Sequence, residues 1–387
     1  MMNSSGSPQH TRKTVINNVR LFNGSKLTNP RTVIIEAGII GSNPDQADEI
    51  VDGQGGVLIP GFIDAHVHLH HDGHFRELAK YGVTTALDMA TWPANKMNGF
   101  RDKPGLPDIR SAGIPATTAG SIHSHMLPLP DEAMISGPQF AESFVENRIK
   151  EGSDYIKLIS DVPGPNQETL NALALAAHKR QKMVVAHASG FVPFQMALEA
   201  KVDIVTHAPR DKPVDAAMVD RMTANKVVSV PTLVMMKEVS KPPPLSAVFP
   251  LLLKPSLFMA ILRAKKSGEG EQRYENAKES VTKMYRDGVP ILAGTDCHDE
   301  PNSFFDVKHG DSLHRELQLL VEAGLTTVDA LRAATSLPAE HFGLHDRGII
   351  ELGKRADLVL LREDPIQDIR ATRSIERVWC RGIEFTA

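Results

Sequence analysis

The segment Asp64-Ala65-His66-Val67-His68 closes an apolar run, VLIPGFIDA, at residues 57–65. Alternate residues on a strand share a face, so His66 and His68 point together, about 6.5–7 Å apart along the chain. Two imidazoles at that spacing can share a metal ion, although a lone HxH is a weak signal. Other apolar runs carry donors at their ends: His187 in MVVAHA, His207 in DIVTHA and Asp296 in VPILAGTD. Lys157 lies within DYIKLI, between apolar neighbours. A charged amine is costly there unless it is paired or neutral.

Something must gather donors spread over more than two hundred residues. Eight short apolar runs alternate with helical stretches such as HFRELAKYG, ETLNALALAAHKRQ and VDAAMVDRMTANK. The runs are 57–65, 83–89, 114–119, 154–159, 183–188, 203–208, 227–231 and 289–296. Parallel strands need helical crossovers, so eight such units predict a (β/α)8 barrel, with an open doubly wound sheet as the alternative. In a barrel the strand ends meet on one face, and the donors meet with them. Strand-like segments at 14–22 and 31–40, and again in GIIELGKRADLVLLRED and SIERVWCRGIEF, predict a small β-domain built from both termini. The expected division is 1–57 and 345–387 for the β-domain and 58–344 for the barrel. Residues 240–270 break the short-loop pattern with Pro clusters and an apolar segment; they read as an elaborated crossover, or as a lid or dimer patch.

Composition narrows the function. Lys+Arg 43 against Asp+Glu 47 gives a formal charge of −4, which excludes a basic nucleic-acid binder as the default. No apolar run reaches the roughly 18–20 residues needed to span a bilayer, so no membrane partner is expected. Two Cys make no disulfide framework, and the polar first residues show no secretory pattern; a cytoplasmic location is expected. Apolar residues around 248–262 suggest a homo-oligomer.

PGFIDAHVH, the strand-four Lys, AHASG, THA, AGTD and the C-terminal AATSLPAEHFGLHDRGIIELGKRADLVLL together resemble the amidohydrolase superfamily, in its imidazolonepropionase-related and prolidase-like branch. The likeness runs from residue 14 to 385. It implies a distorted (β/α)8 TIM barrel with a small β-sandwich formed by the N- and C-terminal segments. It implies two divalent ions, with Zn2+ favoured by the His and oxygen donors. His66, His68 and Asp296 would take one ion, and His187 and His207 the second. Lys157, carboxylated by CO2, would bridge them. One ion on His66, His68, His187 and Asp296, beside a plain Lys157, remains the alternative. The implied reaction is hydrolysis of a C–N amide bond in a small molecule by a metal-activated hydroxide, with Asp296 as general acid and base. The same site could serve deamination, lactone or ester hydrolysis, decarboxylation or a cyclisation, and an inactive scaffold is a further reading.

Substrate contacts are assigned to His123 and His125 of GSIHSH, to His298 two residues after Asp296, and to Ser189, which stands in AHASG where relatives often carry another His or a Tyr. Met236 stands where dipeptide-cleaving relatives often have a Tyr, which favours an apolar acyl or aryl group over a plain dipeptide. Arg210 in THAPR is either a surface cation or a partner for an acidic substrate group. Surface loop positions are the competing reading for His123 and His125, and His70, His71 and His74 read as solvated.

Overall fold

A computed structural model describes residues 12–241, 271–298 and 305–386. The reading of 240–270 as a crossover, lid or dimer patch, and the apolar stretch at 248–262, therefore fall almost entirely outside the described residues.

The chain opens with strands β1 (Thr14–Leu21), β2 (Arg31–Glu36), β3 (Ile39–Gly41), β4 (Glu49–Asp52) and β5 (Val57–Pro60). The parallel series follows: β6 (Phe62–Val67), β7 (Val83–Asp88), β8 (Asp108–Ser111), β9 (Ile156–Ile159), β10 (Val184–His187), β11 (Ile204–Thr206) and β12 (Val228–Val230). The last strands are β13 (Leu358–Leu361), β14 (Ile375–Cys380) and β15 (Ile383–Glu384). Helices α1 (Gly73–Lys80), α2 (Ala94–Gly99), α3 (Ile122–Met126), α4 (Ala141–Glu151), α5 (Gln167–Lys179), α6 (Phe191–Glu199), α7 (Ala216–Asn225) and α8 (Leu233–Val239) punctuate the parallel strands. Four more follow: α9 (Tyr274–Arg286), α10 (Asp311–Glu322), α11 (Thr327–Ala333) and α12 (Ser336–His341). Helix starts follow local chemistry, as where Asn166 accepts the Thr169 N–H and Asp215 the Met218 N–H.

The parallel strands form two arcs, β6-β7-β8 and β12-β11-β10-β9. Single bridges join them: Ala116 to Leu158 on one side, and Ser229 to Ile291 with Val67 to Cys297 on the other. The result is a distorted TIM barrel whose third and eighth strands are irregular. The third begins at Asp108, six residues before the expected run at 114–119; of that run Ala116 bridges Leu158 in strand four and Thr117 bridges Met134. Pro115 cannot donate to a ladder, and the charges Asp108 and Arg110 hide the true strand from a hydrophobicity reading. The eighth approaches strand one through Ala65 N–H to Ala293 O at 2.9 Å and Asp296 N–H to His66 O at 2.7 Å.

The run at 57–65 is two strands. β5 lies between β1 and β13 in the sheet made from the two chain ends, and β6 opens the barrel. Gly61 separates them; a Cβ there would meet the Thr84 side chain at 2.1 Å. That sheet folds on itself around Ile16, Val19, Val33, Ile35, Leu58, Leu358, Leu360 and the buried Trp379, which makes the small β-sandwich. Inside the barrel Ile63, Ala65, Leu87, Tyr155, Val185, Ile204, Val228, Val230 and Leu292 fill the lower layers, sealed below by Ala339 and Leu344. Polar groups are left for the upper layer, at the strand C-termini.

Candidate metal centre

Strand alternation aims Lys157 and His187. On β9 Ile156 and Leu158 pack outward into the helical layer, so Lys157 faces in. On β10 Val185 packs inside and His187 follows it on the same face. On β6 the pairing register shifts between Asp64 and Val67. That irregularity lets His66 follow the inward-facing Ala65 into the barrel mouth. His207, Thr232 and Asp296 all have positive φ (76°, 47° and 56°), a backbone state uncommon for such residues and concentrated at functional sites.

The six expected ligands line one cavity of about 480 Å³. Asp296 Oδ1 lies 3.3 Å from His66 Nε2 and 3.0 Å from His68 Nε2, while its Oδ2 lies 3.9 Å from His207 Nδ1. The His187 ring stands 4.3 Å from that of His207, and the His66 ring 5.0 Å from it. Lys157 Nζ donates to Thr206 Oγ1 at 2.9 Å. Among the described residues two triads bring donor atoms close enough for one ion: His66, His207 and Asp296, and His123, Asp161 and His187. His207 thus groups with the first pair of ligands at least as well as with His187. Asp161 is a donor that the sequence reading missed. It follows strand four by two residues, and its Oδ2 lies 2.6 Å from His123 Nδ1.

Burial sets the electrostatics. It drives the His66 imidazole down to about 3, and it lowers His187 and His207 well below the usual imidazole range, with neighbouring cationic groups adding to the effect. These rings are neutral at pH 7, the form that binds metal. Burial also lowers the Lys157 amine to about 7, against the attraction of Asp296. Burial would raise Asp296, but the His66, His68 and His207 rings outweigh it and hold the carboxylate well below its usual range. His66 Nδ1 and His187 Nε2 are buried with no hydrogen-bond partner. Buried polar atoms are rarely left so. Neutral imidazoles with orphaned nitrogens, a near-neutral amine and an ionised carboxylate form a donor set that suits a divalent cation.

Supporting residues were also missed. Asp64 ties strands one and eight together, accepting from Thr295 N at 3.0 Å, Thr295 Oγ1 at 2.7 Å and His66 N at 3.2 Å; burial raises its carboxyl to about 7. Thr232 Oγ1 bonds His207 Nδ1 at 2.8 Å. Thr232 opens α8, and buried Glu316 from α10 accepts the next two amides, Leu233 N–H at 2.9 Å and Val234 N–H at 2.7 Å. Of the expected substrate contacts, His123, Ser189, Arg210, Met236 and His298 line the cavity, and His125, half-buried on α3, does not. His70, read as solvated, does line it, with its Nε2 buried and unpartnered. A loop residue has no periodicity from which its direction could be read. Cys297 is buried and forms no disulfide. No described helix is long and apolar enough to cross a membrane.

The distorted TIM barrel gathers a cluster of polar side chains at one mouth. The chain belongs to the amidohydrolase family, whose profile matches residues 57–383. It is similar to the adenine deaminase of Deinococcus radiodurans, 51% identical over 51 residues, a stretch covering 13% of this chain and 10% of that protein. It is similar to the imidazolonepropionase of Pyrobaculum arsenaticum, 42% identical over 83 residues, covering 21% of this chain and 20% of that one. The chain thus spans a fifth or less of these two relatives in the matched stretches. A solved Xaa-Pro dipeptidase with methionine bound in its active site shares the fold, with a TM-score of 0.79 at 23% identity, covering 97% of this chain and all of that one.

Proposed function

We propose that this protein is a metal-dependent amidohydrolase that cleaves a C–N amide bond in a small molecule. The observation that carries the reading is Asp296, ionised and set between His66, His68 and His207 at the cavity floor. Amidohydrolase family members generally use divalent metals. In this chain His66, His68 and Asp296 would hold one ion and His187 and His207 the other, with Lys157 joining them as its carbamate; Zn2+ suits the donors. Bound divalent ions supply Lewis acidity for a carbonyl and bring the pKa of water from about 15.7 toward 7.

The chain's own groups do the rest. The Asp296 carboxylate accepts a proton from the attacking water and returns it to the leaving nitrogen. Asp161 Oδ2 pairs with His123 Nδ1, which against burial raises that imidazole's pKa, orients the ring and presents Nε2 to the substrate. Met89, Trp92, Met126, Met235, Met236 and Phe305 supply apolar surface for the acyl or aryl portion and keep bulk water out. Near neutrality the Lys157 amine has the neutral fraction that CO2 addition requires. Elemental analysis of purified protein, joined to a product screen of N-acyl amino acids, dipeptides, lactams and lactones, tests the reading. Two equivalents of metal with amide turnover support it. Ammonia release from a purine with no amide turnover replaces it with deamination, the reaction named for the Deinococcus relative.

A further inference from the structure

The loop after strand one carries three further imidazoles, His70, His71 and His74, and the proposed mechanism uses none of them. His70, two residues beyond His68, lines the cavity, and its Nε2 is shut off from solvent with no hydrogen-bond partner. Buried polar atoms are rarely left so. The position of His70 is held from behind. Its backbone N–H donates to His74 Nδ1 at 3.2 Å, and the buried His74 ring is stacked on that of His309 at 3.7 Å and 17°. His309 Nε2 donates in turn to His68 O at 2.8 Å, which leads the contacts back to the metal centre.

His298 lies within ring contact of both His70 and His68. It is edge-on to each, with centroids 5.6 Å from His70 at 82° and 5.9 Å from His68 at 88°. These separations are close to the 5.3 Å between His66 and His68, the rings that would share an ion in the centre. Two imidazoles on one tetrahedral zinc, with Zn–N of about 2.0–2.1 Å, put their centroids roughly 5 Å apart. A ring that merely filled the wall would explain the burial of His70, but not an Nε2 left without a partner. We propose that His70 and His298 form a further binding site for a divalent cation in transit, from which His298 passes the ion to His68. Exchange of one imidazole for the next lets an ion enter without losing all its protein ligands at once. Water would complete the coordination, so this site is weaker than the paired centre and empties into it. The proposal rests on the proposed metal centre for its destination, and not on the bond cleaved.

The test uses the chelator-stripped full chain and Zn2+. Two quantities are read: the zinc taken up at saturation in equilibrium dialysis, and the rate at which the tight centre fills, followed by loss of free Zn2+ from a fluorescent indicator. His70→Gln keeps the backbone N–H for His74 and a polar group in the wall but removes the imidazole. It is expected to take up one equivalent less at saturation, with the same tight stoichiometry. It should fill the tight centre about tenfold more slowly, the scale on which a residue beside a metal site acts. Equal saturation uptake in the two proteins, or an equal filling rate, overturns the proposal. A lower tight stoichiometry makes His70 a ligand of the centre and overturns it too, as does the absence of any tight uptake, which leaves the ion no destination. If circular dichroism shows that His70→Gln does not fold, His298→Gln is read in the same way and decides. Loss of the extra equivalent with slower filling, in a protein that hydrolyses no amide, would sink the proposed function and leave this site standing. Amide hydrolysis with uptake and filling alike in both proteins would do the reverse.

Discussion

Asp296 draws three imidazoles toward one carboxylate, and its ionised state at the barrel mouth follows from them. Asp296→Asn keeps the shape and removes the proton acceptor. Turnover on the best amide is expected to fall about 10²-fold or more while the circular dichroism spectrum is retained. Near-normal turnover would remove Asp296 from proton transfer. Lys157 gives a pH prediction. Its amine titrates near 7, and only the neutral form adds CO2. The neutral fraction grows as pH rises, so the rate of reactivating metal-stripped protein with Zn2+ and bicarbonate should climb through pH 7. Lys157→Met should show no such bicarbonate dependence. A flat rate between pH 6 and 8 in the unsubstituted protein would argue for a plain lysine. Lys157 was legible because strand alternation turns a sequence position into a direction, and Asp296 because it closes an apolar run. Asp161, Thr232 and Glu316 were not, because each acts on a neighbour and none belongs to a spacing that the chemistry of metals dictates.

At the scale of elements, α8 is held at both ends by α10. Glu316 takes its first amides, and Arg315 Nη2 reaches Glu238 Oε1 near its last turn at 3.1 Å. The same helix starts at Thr232, whose hydroxyl fixes His207. Burial pushes the Glu316 carboxyl up to about 8, against its two backbone donors. Glu316→Gln turns an NH2 group toward one of those donors, and chemical denaturation should show a loss of about 1–3 kcal/mol. A zinc titration of the same variant should show weaker binding, because His207 loses its fixed Thr232. Stability lost with zinc affinity unchanged would separate α8 from the site. Gly294 offers a second handle. A Cβ there would meet Val230 Cγ1 at 2.4 Å and His66 N at 2.9 Å, so strand eight can lie against strand one only without a side chain. Gly294→Ala is expected to lower both Tm and bound metal.

For the whole molecule, the barrel and the terminal β-sandwich were readable from the alternation of apolar runs and from the strand-like character of both ends. What escaped was irregular: the split of 57–65 at Gly61, and a third strand carrying Asp108 and Arg110. Asp108 accepts from Arg347 at 2.7 Å, so its charge is answered by a residue 239 positions away that no local reading could supply. A bound ion would tie together four or more strands, so chelation should lower Tm. At a free-ion concentration a hundred times Kd the expected loss is about 2.7 kcal/mol, read by comparing chelated and reloaded protein. An unchanged Tm would place the ion outside the fold's cooperative unit.

The strand β5 has a history written into its neighbours. One edge pairs with β1, which is made before it, and the other with β13, which leaves the ribosome some three hundred residues later. Throughout elongation that second edge stands open, one glycine ahead of the strand that carries His66. An open edge invites pairing with another chain. The second side of β5 can therefore be completed only once β13 has been made, and until then that edge would be free to pair elsewhere.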